Sequence, residues 1–190
     1  MNSHTLKGVA ALVLAVLACS TLVASQRQAT PEGRKFLLAT NDRVPSTITG
    51  VDRAGQQAEF SFLAQSKPTV VYDISPFSPF VVDNERRFSS LMRQAGKRYA
   101  WLLLSPNEPQ FTQYMDKISV GLSEPFVAIT AIPPDMKQTM MLGGYPQTLV
   151  ISNRATVLRN FMGAYVADSM SAQPEAIESF FGITLPKEPR

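Results

Sequence analysis

Reactive sulfur and imidazole are nearly missing from this chain. Its one cysteine is Cys19 and its one histidine is His4, both close to the N-terminus. Beyond residue 19 there is no thiolate, no imidazole and no pair of sulfurs to form a disulfide. Cys/His zinc sites, cysteine nucleophiles and Ser-His-Asp triads are therefore excluded together. Charge is also sparse, at 17% of residues with a formal net of +3. The longest basic cluster is Arg86-Arg87, too little for a nucleic-acid footprint, so the scattered cations read as solvated surface. Asp116, Asp135 and Asp168 fall in no calcium-loop spacing, and a methionine-only copper site lacks any supporting pattern. No metal and no cofactor are expected.

What remains is apolar. Hydrophobic residues make up 45% of the 190 positions, enough to bury a core and too many for a disordered chain. The length suits one ordinary domain with a terminal extension. Residues 1–25 carry export features: Lys7, the apolar run Val9 to Ala18, then small residues. Three outcomes stay open there. Val23-Ala24-Ser25 suits a cut before Gln26. Val16-Leu17-Ala18-Cys19 resembles a lipobox that would put a lipid on Cys19. An uncleaved anchor is the third, although Val9 to Ala24 is short for a span of about 20 residues. All three place the folded part outside the cytoplasm, in the periplasm or anchored facing it. Residues 26–45, polar at first and holding two prolines, read as a linker, and residues 46–190 as the domain.

The domain opens with alternating segments, Thr47 to Val51 and Ala58 to Phe62, around Asp52-Arg53-Ala54-Gly55. They predict a β-hairpin with Gly55 at positive φ. Lys67-Pro68 leads into a buried strand, Thr69 to Asp73, and a bend with Pro76 and Pro79 follows. From about Phe80 the period turns helical, with Phe88, Leu91, Met92 and Ala95 on one stripe and Gly96 as a C-cap. Tyr99 to Ser105 is a continuous apolar run, as in a parallel strand covered on both faces, which makes Trp101 core. Gln110 to Ile118 predicts a helix with Phe111, Tyr114, Met115 and Ile118 on one face. Phe126 to Ile129 reads as a short strand, and Pro133 to Met141 is ambiguous. Met136, Met140 and Met141 fit packing beneath that irregular stretch better than an adaptable contact surface. Tyr145-Pro146 precedes the strand Gln147 to Ile151, a turn at Ser152-Asn153-Arg154-Ala155-Thr156, and an edge partner at Val157 to Met162. Pro174 opens the last helix at N1, docked by Ile177, Phe180 and Phe181.

Strand, proline-bearing turn and helix from Thr69 to Glu85 resemble the thioredoxin-like superfamily at the place where it carries two cysteines. Phe77-Ser78-Pro79-Phe80 stands where Cys-x-Pro-Cys is expected, and Tyr72 lies at the usual distance before it. Gly144-Tyr145-Pro146-Gln147-Thr148 resembles the family's second signature, whose proline is cis. A competing register, Ser75-Pro76-Phe77-Ser78 as Ser-x-x-Ser, sits two residues too close to Tyr72. The order of elements is similar to the TlpA and alkyl hydroperoxide reductase (redoxin) branch. Asn153 and Ala155 depart from the Asp-x-x-Gly usual at the last hairpin. The resemblance implies an α/β thioredoxin-like fold: a central mixed sheet flanked by helices, extended by an N-terminal β-hairpin.

It also implies what the chain cannot do. A phenylalanine has no thiolate, so thiol exchange, isomerisation and cysteine peroxidase chemistry are unavailable, and an enzyme is not expected. The family's groove would leave Phe77, Ser78, Pro79, Phe80, Tyr145 and Pro146 as a site for an extended partner segment. Phe80, one position into the helix, is expected to turn inward, while Phe77 at the corner fits recognition and closure equally. Asp83 and Glu85 suit the helix N-terminus, and Asp73 reads as a hydrogen-bonded remnant beneath the turn. A non-catalytic binding or accessory module of the bacterial envelope fits best. A degenerate redoxin with residual or partner-supplied chemistry and a scaffolding lipoprotein stand as alternatives.

Overall fold

The computed structural model describes residues 37–74, 79–106, 109–119, 125–143 and 146–187, with backbone alone at 83, 111, 112 and 119. The hairpin is β1 (Thr47–Val51) and β2 (Gln57–Ser61), paired antiparallel with Ile48 opposite Phe60. Gly55 turns it at φ +79, in the left-handed region that favours glycine. The chain then gives β3 (Thr69–Asp73), α1 (Pro79–Ala95) and β4 (Ala100–Ser105). It continues through α2 (Pro109–Ser119), β5 (Val127–Thr130) and α3 (Pro134–Thr139) to β6 (Gln147–Ile151), β7 (Val157–Met162) and α4 (Pro174–Phe181). Gly96 does not cap α1 in the left-handed conformation; α1 tightens instead into a 3-10 turn, Gly96–Arg98. Trp101 Nε1 donates to the Gly96 carbonyl there at 3.2 Å.

Seven strands form one mixed sheet in the order β2-β1-β5-β4-β3-β6-β7. β3, β4 and β5 are parallel, while β6 runs antiparallel to both β3 and β7. Two successive crossovers, through α1 and α2, step the same way along the sheet. The third connection, through α3, steps back to the antiparallel β6, and Met136 and Met140 pack it on the opposite face from α1 and α2.

Strand alternation divides the core accordingly. On the first face Val70, Tyr72, Trp101, Leu103, Val150 and Phe161 pack under α1, α2 and α4. On the second face Val71, Leu102, Leu104, Leu149 and Ile151 join Phe60 and Phe62, with Met140 at the end of α3. Met140 is fully buried and Met136 and Met141 pack partly against the same cluster, so these methionines fill core. Gly50 lets β1 approach β5 closely: a Cβ there would stand 2.5 Å from Ile129 Cγ2 and 2.6 Å from the Thr130 carbonyl.

The compact unit begins at Leu37, not after residue 45. Residues 37–44, inside the stretch expected as linker, form a strap along the outer edge of β7. Asn41 N donates to the Val157 carbonyl at 2.8 Å, Val157 N to Asp42 at 2.9 Å, and Val44 N to Ala155 at 3.0 Å. Leu38 and Val44 are buried beneath it. Satisfying the edge strand's exposed backbone groups is what holds so polar a segment in place.

Candidate functional site

β3 ends at Asp73, which pairs with Gln147, the first residue of β6. The C-terminal end of β3 and the N-terminal end of β6, with Pro146 just before it, therefore lie at the same end of the sheet. That is the placement on which the expected site depends. Phe77, Ser78 and Tyr145 lie outside the described residues, as do the Tyr145–Pro146 peptide geometry, the Ser75–Ser78 register and Cys19 with its lipid. Pro79, Phe80 and Pro146 are described. Pro146 is buried, and its carbonyl accepts from Gly163 N at 2.8 Å.

Phe80 corrects the expectation that it turns inward: it is 51% exposed, and Val82 is 47% exposed. The reason is the phase of α1. Val81, fully buried, takes the inward position, and Asn84 and Phe88 continue that stripe. Pro79 is exposed as well, so the helix begins with an apolar corner in solvent.

Beneath this corner lies a buried polar network that sequence reasoning missed. Asn84 is fully buried in the second turn of α1. Its Nδ2 donates to the Tyr72 hydroxyl at 3.0 Å, and its Oδ1 accepts from Tyr165 N at 2.9 Å. The Tyr165 hydroxyl shares a 2.7 Å hydrogen bond with Thr148 Oγ1 in β6. Tyr114 of α2 brings its own hydroxyl to that of Tyr72. One amide thus joins α1 to β3 and to the loop after β7, and it could have been suspected from its spacing. Asn84 falls on the stripe of Phe88 and Leu91, where a polar residue must find partners.

Burial sets the electrostatics. It pushes the Tyr72 phenol up to about 12, against the opposing hydrogen bonds from Asn84 and Tyr114. It raises Tyr114 and Tyr165 too, with Tyr72 beside each adding to the effect. All three stay neutral at physiological pH and act as hydrogen-bonding wedges. The Tyr72 and Tyr165 rings pack against Phe88, which stacks on Tyr72 at 3.7 Å between centroids and meets Trp101 edge-on at 6.1 Å.

Asp73 is 1% exposed, and alternation puts it on the second face, away from the Tyr72 hydroxyl. Gln147, also buried, shares that face and donates to Asn160 Oδ1 at 3.1 Å. Glu85 meets Lys117 of α2 at 3.9 Å. Among the described residues no group of three or more His, Cys, Asp or Glu could hold a metal ion. No helix among them is long and apolar enough to cross a membrane.

No protein-family model matches the sequence, and no curated protein matches it. Solved structures do. A thio-disulfide isomerase from Thermus thermophilus is similar with a TM-score of 0.51 at 17% identity, over 78% of this chain and 100% of that one. A peroxidoxin from Mycobacterium tuberculosis gives 0.52 at 16% identity, over 76% and 97%. The thioredoxin domain of a thiol-disulfide oxidoreductase from Bacteroides vulgatus gives 0.51 at 13%, over 76% and 99%. These likenesses show the fold: it is thioredoxin-like, of the kind found in redoxins and thiol-disulfide oxidoreductases, on a chain without a Cys-x-x-Cys pair.

Proposed function

We propose, taking as premise a thioredoxin-like fold whose redox corner has no thiol, that the chain is an exported, non-catalytic protein-binding module of the bacterial envelope. The observation that carries this is Phe80. An apolar ring half in solvent, on the first turn of the helix that would present a cysteine, serves contact and not electron transfer. The occupant is an extended segment of a partner protein, held by Phe77, Ser78, Pro79 and Phe80 on one side and on the other by Tyr145, with the buried Pro146 behind it. The frame around the corner supports the proposal, since Asn84 and the buried tyrosines fix the start of α1 without offering a nucleophile or a base.

Two measurements test it together. Insulin reduction and hydroperoxide consumption by the purified chain are expected at background, and turnover by either route would refute the non-catalytic part. Cross-linking in envelope preparations is expected to yield a partner whose capture falls when Phe80→Ala or Phe77→Ala is introduced. A partner set unchanged by both, and by Tyr145→Ala, would move the binding surface elsewhere.

A further inference from the structure

We propose that the segment held at this corner is acidic, and that the solvent face of α1 reads its carboxylates. The inference rests on the binding proposal above and names the chemistry of the partner. Along α1, Val82, Arg86 and Arg93 recur at intervals of four and seven residues, which puts them on one face, and Lys97 continues the row into the 3-10 turn. All four are exposed. The ion pairs Arg53–Asp116 and Lys117–Glu85 lie outside this row. Arg93 and Lys97 suit the negative end of the helix dipole, but that does not account for Arg86 in the middle of α1 or for Val82 in water.

The row has a register. A helix rises about 1.5 Å per residue, so Val82 to Arg86 spans about 6 Å and Val82 to Arg93 about 16 Å. An extended chain advances about 3.3 Å per residue. The matching segment has an apolar residue at Val82 and carboxylates about two and five positions along, with a third about seven along for Lys97. An extended chain fits better than an anionic membrane surface. Phe80 and Val82 lie about 200° apart around the helix, which a wrapping chain can touch and a plane cannot.

The test pans displayed random dodecapeptides against the full chain and against the full chain carrying Arg86→Glu and Arg93→Glu. Both sites are exposed, so the fold is not at stake. The expected result is enrichment of peptides with acidic residues at the stated spacing after an apolar one. Their affinity should drop about tenfold or more in the double variant and fall with added salt. Enriched peptides without acidic bias, or with the same bias on the double variant, overturn the proposal. If neutral peptides are selected and Phe80→Ala loses them, the corner still binds protein and only its acidic preference is wrong. If nothing is selected on either chain, both proposals fall. A third arm floats the protein with phosphatidylglycerol and with phosphatidylcholine vesicles. A preference for the anionic lipid that the double variant abolishes, without an acidic peptide motif, assigns the row to lipid and also overturns the proposal.

Discussion

On the first face of the sheet Tyr72, Phe88, Trp101, Tyr165 and Phe161 assemble rings and hydroxyls beneath three helices. On the second, Val71, Leu102, Leu104, Leu149 and Ile151 meet a strap, a short helix and Met140. Both faces are buried, yet they specify structure differently. Apart from Asp73 and Gln147 at its end, the second holds through volume, and its branched side chains can exchange neighbours without leaving a polar group stranded. The first also holds through direction, because Asn84 has two partners and tolerates one geometry. The exposed corner at Phe80 belongs to the helix that the directional face pins. The proposed binding surface would thus sit on a helix held by hydrogen bonds as well as by packing.

That contrast can be broken most severely at Phe88. Phe88→Ala is expected to cost about 4 kcal/mol in denaturant unfolding, against about 3 for Leu104→Ala on the second face. Only the first should also change the Trp101 emission of the folded state. Asn84→Ala comes next, at about 3 kcal/mol, since it strands the Tyr165 N–H and takes a donor from the Tyr72 hydroxyl. Asn84→Leu should recover little, because filling the space does not supply the donor and the acceptor. If either variant of Asn84 proved neutral, directional locking would be the wrong account of this face.

Alkali sharpens the comparison further. The folded Tyr72 phenol lies above its unfolded value of 10.0, at about 12. Its contribution is therefore fully present below pH 10 and is lost as pH rises through about 12. At one unit per 1.36 kcal/mol the loss for Tyr72 is about 3 kcal/mol. The part of the tyrosinate absorbance at 295 nm that belongs to Tyr72, Tyr114 and Tyr165 should therefore rise together with loss of near-ultraviolet dichroism, not before it. The described tyrosines are all on the first face, so the second has no counterpart to this titration. The smallest effect concerns Ala155 in the β6–β7 turn, which holds φ +55 while 6% exposed. Relief of the left-handed strain in Ala155→Gly is offset by the lost methyl group and added chain freedom, so stability should stay within about 0.5 kcal/mol. Ala155→Val should cost about 2 kcal/mol, and a neutral result there would argue against the turn conformation.

Much of the fold was legible. Alternation marked β1 and β2, the unbroken apolar run marked β4 as covered on both faces, and Pro174 marked the start of α4. The remainder failed for identifiable reasons. The strap reads as linker because it has few apolar residues and holds its place by hydrogen bonds to an edge strand, which no local pattern reports. Gly96 looked like a cap, yet Met141 and Ala155 hold the left-handed positions usually given to glycine. At the site, the convergence of Asp73 with Gln147 followed from the order of elements. The outward turn of Phe80 did not, because the buried stripe runs from Phe88 back to Val81 through Asn84, a polar residue that masks its phase.

The strap along β7 has a bearing on how this protein must be handled. A fragment begun at Pro45 would leave the start of β7 with bare amide and carbonyl groups, an invitation to strand exchange between molecules. Fragments begun at Leu37 should stay dispersed, while those begun eight residues later should form multimers on size-exclusion chromatography. The length of polypeptide kept ahead of the hairpin thus decides whether a preparation is a solution or a gel.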